Sequence, residues 1–163
     1  LNNYAFASSH EDWRIGGLLQ TEVNYFVTAG IRNPVTLSVR GGMHQSYGDV
    51  PFYYKAFLGQ QTNLRGYLRN RFGGDRAVFL NTDLRLHLGT IRNPVLPVYA
   101  GIYGLFDIGR VYDELLPSED WHPVVGGGFY LVPYAESFNL TFTLAKALDD
   151  DLLFSFRVGF FVR

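Results

Sequence analysis

The sequence predicts an all-β protein, an antiparallel transmembrane β-barrel of which eight strands are present. Apolar residues alternate with small or polar ones in segment after segment, and no stretch keeps them at helical spacing for three turns. The polar faces carry residues such as Gly42, Gly128 and Thr141, and the only lysines are Lys55 and Lys146. A soluble β-sandwich also alternates, but its polar faces meet bulk water and would carry long charged side chains. The small polar faces therefore favour a barrel with a polar interior and a lipid-facing exterior.

The alternation places the strands in order along the chain. A polar and aromatic piece at residues 1–10 is followed by predicted strands at residues 14–28, 35–44, 78–88, 98–112, 123–132, 138–148 and 152–162. The breaks at Asn33-Pro34 and Asn93-Pro94 end strands because proline has no N–H to donate to a ladder. Residues 48–77 form a long loop while most turns are short, an asymmetry typical of outer-membrane barrels.

Aromatic residues support the same prediction. The C-terminal strand is the clearest, with small or polar residues between the apolar positions Phe154, Phe156, Val158 and Phe160. Residues near predicted strand ends match the aromatic girdles of membrane barrels, and these are Tyr99, Tyr130, Tyr134 and Phe138.

Composition argues against several classes of function. A net charge of -1 argues against a nucleic-acid partner, because such proteins carry a clustered basic surface. The four histidines have no zinc-ligand spacing, and no serine stands in a nucleophile-elbow sequence. We therefore predict no catalytic residue, no metal and no cofactor in this chain. Because it starts at Leu1 without an initiator methionine, we expect a processed form or part of a longer protein.

The long loop carries an arginine that needs acidic partners if it enters the barrel. A guanidinium in a restricted lumen keeps its charge and loses hydration unless carboxylates compensate. Asp83 and Asp107 stand on the inward-facing parity of their strands. We therefore predict that Arg65 bridges Asp83 and Asp107 and holds the loop inside. The interior of an eight-stranded barrel is filled by its own side chains, so such a loop indicates a larger barrel completed by residues outside 1–163.

Three short motifs resemble the C-terminal barrel region of the BamA/TamA outer-membrane assembly superfamily, also called the bacterial surface antigen family. They are Leu64-Arg65-Gly66-Tyr67, Asn81-Thr82-Asp83-Leu84-Arg85 and Phe106-Asp107-Ile108-Gly109-Arg110-Val111. The resemblance spans the whole chain. It implies the second half of a sixteen-stranded barrel, with Arg65 of the lumen loop meeting the acidic residues.

The resemblance also implies a function, a location and partners. The chain would lie in the bacterial outer membrane among its lipids, and would assist the insertion of outer-membrane proteins or the secretion of polypeptides. Its partners would be those client polypeptides and periplasmic or lipoprotein accessory subunits. An alternative remains open, because residues 63–67, residues 70–75 and Trp121-His122 resemble members whose barrel follows a calcineurin-like phosphoesterase domain. In that case the barrel would anchor a fused enzyme, a phosphoesterase or a patatin-like lipase, and the residues before Leu1 would distinguish the two.

Overall fold

The computed structural model describes residues 2–7, 15–31, 33–48, 50–59, 63–92, 97–113, 120–133, 138–148 and 151–160. Within these ranges the chain is all-β, as predicted, with one 3₁₀ turn at Phe52–Tyr54 and no α-helix. No helix of the described part is long and apolar enough to cross a membrane. The strands are β1 (Asn2–Ala7), β2 (Ile15–Ala29), β3 (Val35–Gly48), β4 (Ala56–Leu58), β5 (Phe72–Gly74), β6 (Arg76–Ile91), β7 (Val98–Tyr112), β8 (His122–Pro133), β9 (Phe138–Ala147) and β10 (Leu152–Phe160).

Eight of the strands form one antiparallel sheet in the order β1-β2-β3-β6-β7-β8-β9-β10. Each strand pairs with its chain neighbour, except that the long loop separates β3 from β6. Inside that loop, β4 and β5 pair with each other as a separate two-stranded sheet. β1 and β10 are the two edges, and the described strands do not pair to close a barrel.

The alternating sequence gives the sheet two different faces. In β6, Phe79, Asn81 and Asp83 are buried, while Leu80 and Leu84 on the opposite face are exposed. The neighbouring strands continue this exposed apolar face with Leu37, Met43, Ile102, Phe106, Val125, Phe129, Leu144, Phe154, Phe156 and Val158. Across β8, β9 and β10, the ring of Phe129 stacks on that of Phe142 with centroids 4.4 Å apart, and the tilted ring of Phe156 lies 4.7 Å from Phe142.

The sheet is strongly curved. Asn24 of β2 and Arg157 of β10 line the same cavity, which has a volume of about 200 Å³. Six strand spacings separate them in the sheet order, or roughly 29 Å on a flat sheet at about 4.8 Å per strand. The sheet must therefore bend to bring both residues to one cavity. We call the face that bears this cavity the concave face and the exposed apolar face the convex face.

The long loop covers part of the concave face and supplies much of the hydrophobic core. Ala56, Leu58, Leu64 and Tyr67 of the loop are buried together with concave-face residues such as Val124. The loop therefore packs on the inner side of the curve.

Three details differ from the predicted elements. β4 and β5 were not predicted, because three-residue strands are too short to show a period. Tyr130 is half-buried on the concave face, where its ring occupies the space beside Gly101, and Tyr99 lies on the same face two residues before Gly101. The prediction that these two belong to a girdle facing the membrane is therefore wrong, and Tyr134 lies outside the described residues. The far end of β2 lacks a buried face, because Phe26 is as exposed as Tyr25 and Val27.

Candidate functional site

The candidate site is built on one row of register partners across five strands. Arg40 of β3 pairs with Asn81 of β6, which pairs with Asp107 of β7. Asp107 pairs with Val124 of β8, and Val124 pairs with Ala147 of β9. Because register partners in a sheet share a face, all five side chains stand on the concave side.

Residues 63–66 of the loop cross this row from strand to strand. The backbone carbonyl of Asn63 accepts a hydrogen bond from Asn81 Nδ2 at 2.7 Å, and the backbone N–H of Arg65 donates to Asp107 Oδ2 at 3.1 Å. A Cβ at Gly66 would lie 2.5 Å from Val124 Cγ1 and 3.1 Å from the Ala147 nitrogen. The glycine of the Leu64-Arg65-Gly66-Tyr67 motif is therefore required for close approach to β8 and β9.

Arg65 lies between the two carboxylates named from the sequence. Its Nε donates to Asp107 Oδ2 at 2.8 Å, and its Nη2 donates to Asp107 Oδ1 at 2.5 Å. The same Nη2 lies 2.6 Å from Asp83 Oδ1 and forms an ion pair with it. Bidentate pairing of this kind fixes the orientation of the guanidinium as well as its position.

The electrostatics of the cluster follow from burial. The Asp107 side chain is fully buried and that of Arg65 is 14% exposed. Burial by itself lowers the pKa of Arg65, but hydrogen bonds and charge from Asp107, and then Asp83, outweigh it and raise the pKa above its ordinary value. Arg85 contacts the remaining oxygen of Asp83 at 3.1 Å. Arg65 therefore stays protonated at any physiological pH.

Asn81 provides a second attachment that sequence reasoning missed. Besides donating to Asn63, it accepts hydrogen bonds from Arg40 Nε at 3.1 Å and Arg40 Nη2 at 2.8 Å. The Asn63 side chain in turn binds the backbone a few residues earlier in the loop. Its Oδ1 accepts a hydrogen bond from the Gly59 N–H, and its Nδ2 donates one to the Phe57 carbonyl. Parity places Asn81 on the polar face, but a neutral amide gives no charge signal that singles it out.

A second glycine, Gly109 of β7, leaves room for apolar residues of the loop. A Cβ at Gly109 would lie 2.9 Å from Leu58 Cδ1 and 3.3 Å from Leu64 Cδ1. The glycine two residues after Asp107 thus leaves room for the two buried leucines. Leu64 is buried beside this space, one residue before the arginine.

Tyr67 and the residues that follow it pack against the start of β8. The Tyr67 ring meets Phe72 edge-on at 4.9 Å, and Phe72 stacks on His122 with centroids 3.8 Å apart. The backbone N–H of Tyr67 donates to the Leu64 carbonyl at 3.3 Å, which makes the motif a tight turn. Tyr67 therefore fixes the end of the motif by aromatic packing.

A second cation holds the loop at its periphery. Lys55 Nζ lies 3.0 Å from Asp113 Oδ2 and 3.2 Å from Asp75 Oδ1. A hydrogen bond from Lys55 to Asp113, with a further contribution from Asp75, raises the pKa of Lys55. Loop and sheet are thus joined by two separate sets of ion pairs.

The apolar residues of the C-terminal strand that were named from the sequence lie on the other face of the sheet from this cluster. Phe154, Phe156 and Val158 project from the convex face of β10, and Phe154 is 63% exposed. The side chain of Phe160 lies outside the described residues. Within the described ranges, no three His, Asp or Glu side chains converge as metal ligands would.

The comparisons with known proteins add no relative. No family model matches the chain, and no curated protein or solved structure gives a significant match.

Proposed function

We propose that this chain is the second half of a sixteen-stranded outer-membrane β-barrel of the BamA/TamA assembly and translocation superfamily. The observation that carries the proposal is the position of Arg65, held between Asp83 and Asp107 on the concave face of the sheet. The three sequence motifs that resemble the family come together at this point: the loop arginine, the acid of one strand and the acid of the next.

The two faces support a place in the bacterial outer membrane. Soluble monomers rarely expose apolar patches larger than a few hundred Å². The convex face instead presents leucines and phenylalanines along neighbouring strands, including Leu84 at 54% and Phe154 at 63% exposure. Lipid is the environment that fits this apolar face. The concave side differs, because its cavity of about 200 Å³ is lined by polar residues.

The open edges support a barrel with more strands. β1 and β10 each present one unpaired side within the described sheet. Lipid-exposed sheet edges do not occur within a bilayer, because their N–H and C=O groups would have no partners. Further strands are needed to pair β1 and β10, and the docked loop needs a wider interior than that of an eight-stranded barrel.

In this proposal the loop stabilises the barrel wall from inside. It holds β6 and β7 together through Arg65 and rests on β8 and β9 through Gly66. Client outer-membrane or secreted polypeptides would be the substrates, with periplasmic or lipoprotein subunits as accessories. The chain itself would carry out no chemistry.

Depletion of the full-length protein in its own bacterium tests the proposal. We expect quantitative mass spectrometry of isolated outer membranes and of the medium to show lower levels of other barrel proteins or of secreted polypeptides. Arg65→Ala should reproduce the loss, whereas Arg69→Ala, an exposed arginine of the same loop, should complement. An unchanged set of outer-membrane and secreted proteins after depletion would overturn this function.

A second candidate function is the anchoring of a fused enzyme at the outer membrane. It is favoured by residues 63–67, residues 70–75 and Trp121-His122, which resemble the phosphoesterase-fused members. Two of these residues, Phe72 and His122, stack with ring centroids 3.8 Å apart. The sequence before Leu1 separates the two candidates. An Asp, His and Asn metal-ligand set or a lipase serine motif supports the anchor, and periplasmic transport-associated repeats support assembly.

A further inference from the structure

Another cavity lies between the long loop and the concave side of β2 and β3. Its volume is about 280 Å³. Leu18 and Gln20 of β2 and His44 of β3 form the wall on the side of the sheet, and side chains between residues 53 and 70 form the wall on the side of the loop. Pockets for drug-sized ligands measure about 300–1,000 Å³, so this cavity suits a smaller ligand, such as a single ring.

Tyr53 gives this cavity an exposed aromatic wall. Its ring meets Phe52 edge-on at 5.6 Å and lies tilted against Tyr54 at 4.9 Å. These neighbours hold the ring in position, yet 62% of Tyr53 stays exposed. The face of an aromatic ring carries partial negative charge, so it attracts the slightly positive C–H groups of a molecule that stacks on it.

Side-chain amides supply the polar part of the cavity. Gln20 lies on the sheet side and Asn70 on the loop side. A third amide, that of Asn63, is already bonded to the backbone of Gly59 and Phe57. Each amide carries two N–H donors and one acceptor oxygen. Gln20 and Asn70 are therefore suited to neighbouring hydroxyl groups, which donate and accept in the same way.

The charges around the cavity favour a neutral ligand. Lys55 lies 3.0 and 3.2 Å from Asp113 and Asp75, so its charge is balanced. Arg69 also lines the cavity but is exposed, and water and salt screen its charge. Within the described part of the chain, no Asp or Glu lines the cavity. A ligand is thus selected here by stacking and by hydroxyl contacts rather than by charge.

We propose that this cavity binds a neutral pyranose ring, with the C–H face of the sugar on Tyr53 and its hydroxyls on Gln20 and Asn70. A pyranose matches both walls, because its C–H groups lie on its faces and its hydroxyls form the rim. A free saccharide and the headgroup of a glycolipid offer the same chemistry. The site depends only on the loop and the β2–β3 pair and does not require the proposed function to be correct.

Saturation-transfer-difference NMR of the wild-type, full-length protein tests the proposal without any variant. The probes are the methyl pyranosides of glucose, galactose and mannose, with sorbitol as the control, because sorbitol has the hydroxyls but no ring to stack. We expect a dose-dependent signal from at least one pyranoside and a background signal from sorbitol. The absence of signal from every pyranoside, or an equal signal from sorbitol, would overturn the proposal.

A pair of tyrosine variants tests the location of the site. Tyr53→Leu should weaken binding of the best pyranoside roughly fivefold or more, because it removes the stacking face. The matched control is Tyr25→Leu, on the opposite face of β2, where the tyrosine is 64% exposed. This control should bind as the wild type does. Unchanged binding by Tyr53→Leu, or an equal loss in both variants, would overturn the proposal.

Two derivatives of the best pyranoside identify the source and the charge of the ligand. The octyl glycoside, used below its micelle concentration, should bind more tightly than the methyl glycoside if the ligand is a glycolipid headgroup, and equally if it is a free saccharide. The methyl glycoside of the matching uronic acid adds a carboxylate to the same ring and should bind no more tightly than the neutral sugar. Much tighter binding of that acid would overturn the assignment of a neutral ligand.

Discussion

Two cations hold the same loop, and each stands between two carboxylates. Arg65 lies 2.5 and 2.6 Å from Asp107 and Asp83, and Lys55 lies 3.0 and 3.2 Å from Asp113 and Asp75. The main difference is burial. Asp107 is fully buried beneath Arg65, whereas Asp113 and Asp75 beside Lys55 are 15% and 34% exposed.

This difference teaches that distance alone does not set the strength of an ion pair. When a buried partner is removed, the remaining charge has no water to replace it, and the cost is about 3–5 kcal/mol. At an exposed pair, water takes the vacant place, and the usual contribution is about 0–1 kcal/mol. Arg65 should therefore hold the loop much more strongly than Lys55.

Removal of the buried acid should have the largest effect. Asp107→Asn keeps the size of the side chain but leaves Arg65 with Asp83 alone, and we expect the free energy of loop opening to fall by about 3–5 kcal/mol. Hydrogen exchange of the loop amides measures that free energy. A loss of less than about 1 kcal/mol would show that the pair behaves as a surface pair.

Removal of the amide attachment should rank second. Asn81→Leu leaves the Asn63 carbonyl and the Arg40 guanidinium without the contacts that Asn81 provides, at a cost of about 1–3 kcal/mol. The same hydrogen-exchange experiment measures the change in the free energy of loop opening. The control is Asn24→Leu. Asn24 is exposed and lines the same cavity of about 200 Å³ as Asn81, and its replacement should change hydrogen exchange of the loop little. Equal effects from both variants would remove Asn81 from the set of anchors.

A methyl group at the motif glycine should rank third. Gly66→Ala sets a Cβ against Val124 and Ala147, and overpacking of this kind costs about 1–3 kcal/mol, with one methyl group at the low end. The double variant with Val124→Ala should recover part of the loss, since that change removes the clashing Cγ atoms. Loop exchange rates of the single and double variants check this, and additive effects would argue against direct contact.

Loss of Lys55, the more exposed of the two cations, should have the smallest effect. Lys55→Met should change loop opening by about 0–1 kcal/mol at neutral pH. Because the folded pKa of Lys55 is raised from 10.5, its contribution is present below pH 10.5 and disappears as pH rises through the folded pKa. Wild type and variant should therefore converge at high pH. A difference that grows with pH would contradict the assigned partners.

The β-strands could be predicted from sequence because a polar concave face and an apolar convex face leave a strict period of two. The same parity placed Asp83 and Asp107 on one face. Arg65 was named among the loop arginines because of the motif resemblance, and because a guanidinium in a restricted interior needs acidic partners.

Other parts of the site left no such signal. Arg40 and Asn81 meet only because β3 and β6 pair across the intervening loop, and their register cannot be read from either strand alone. The end of β3 at residues 45–48 is polar on both faces, so the predicted strand stopped too early at His44. The curvature that brings β2 and β10 to one cavity accumulates over the whole sheet and belongs to no single residue.

Residues 63–66 cross four strands, so docking of the loop depends on the correct alignment of those strands. These contacts form only when β6, β7, β8 and β9 are already aligned, and a slip of one residue in β6 would turn Asp83 to the lipid side of the proposed barrel. Protection of the Arg65 amide in a pulse-labelling experiment should therefore arise late in refolding and only in correctly aligned molecules. In a misaligned sheet the loop would not dock, and it would be accessible to proteases.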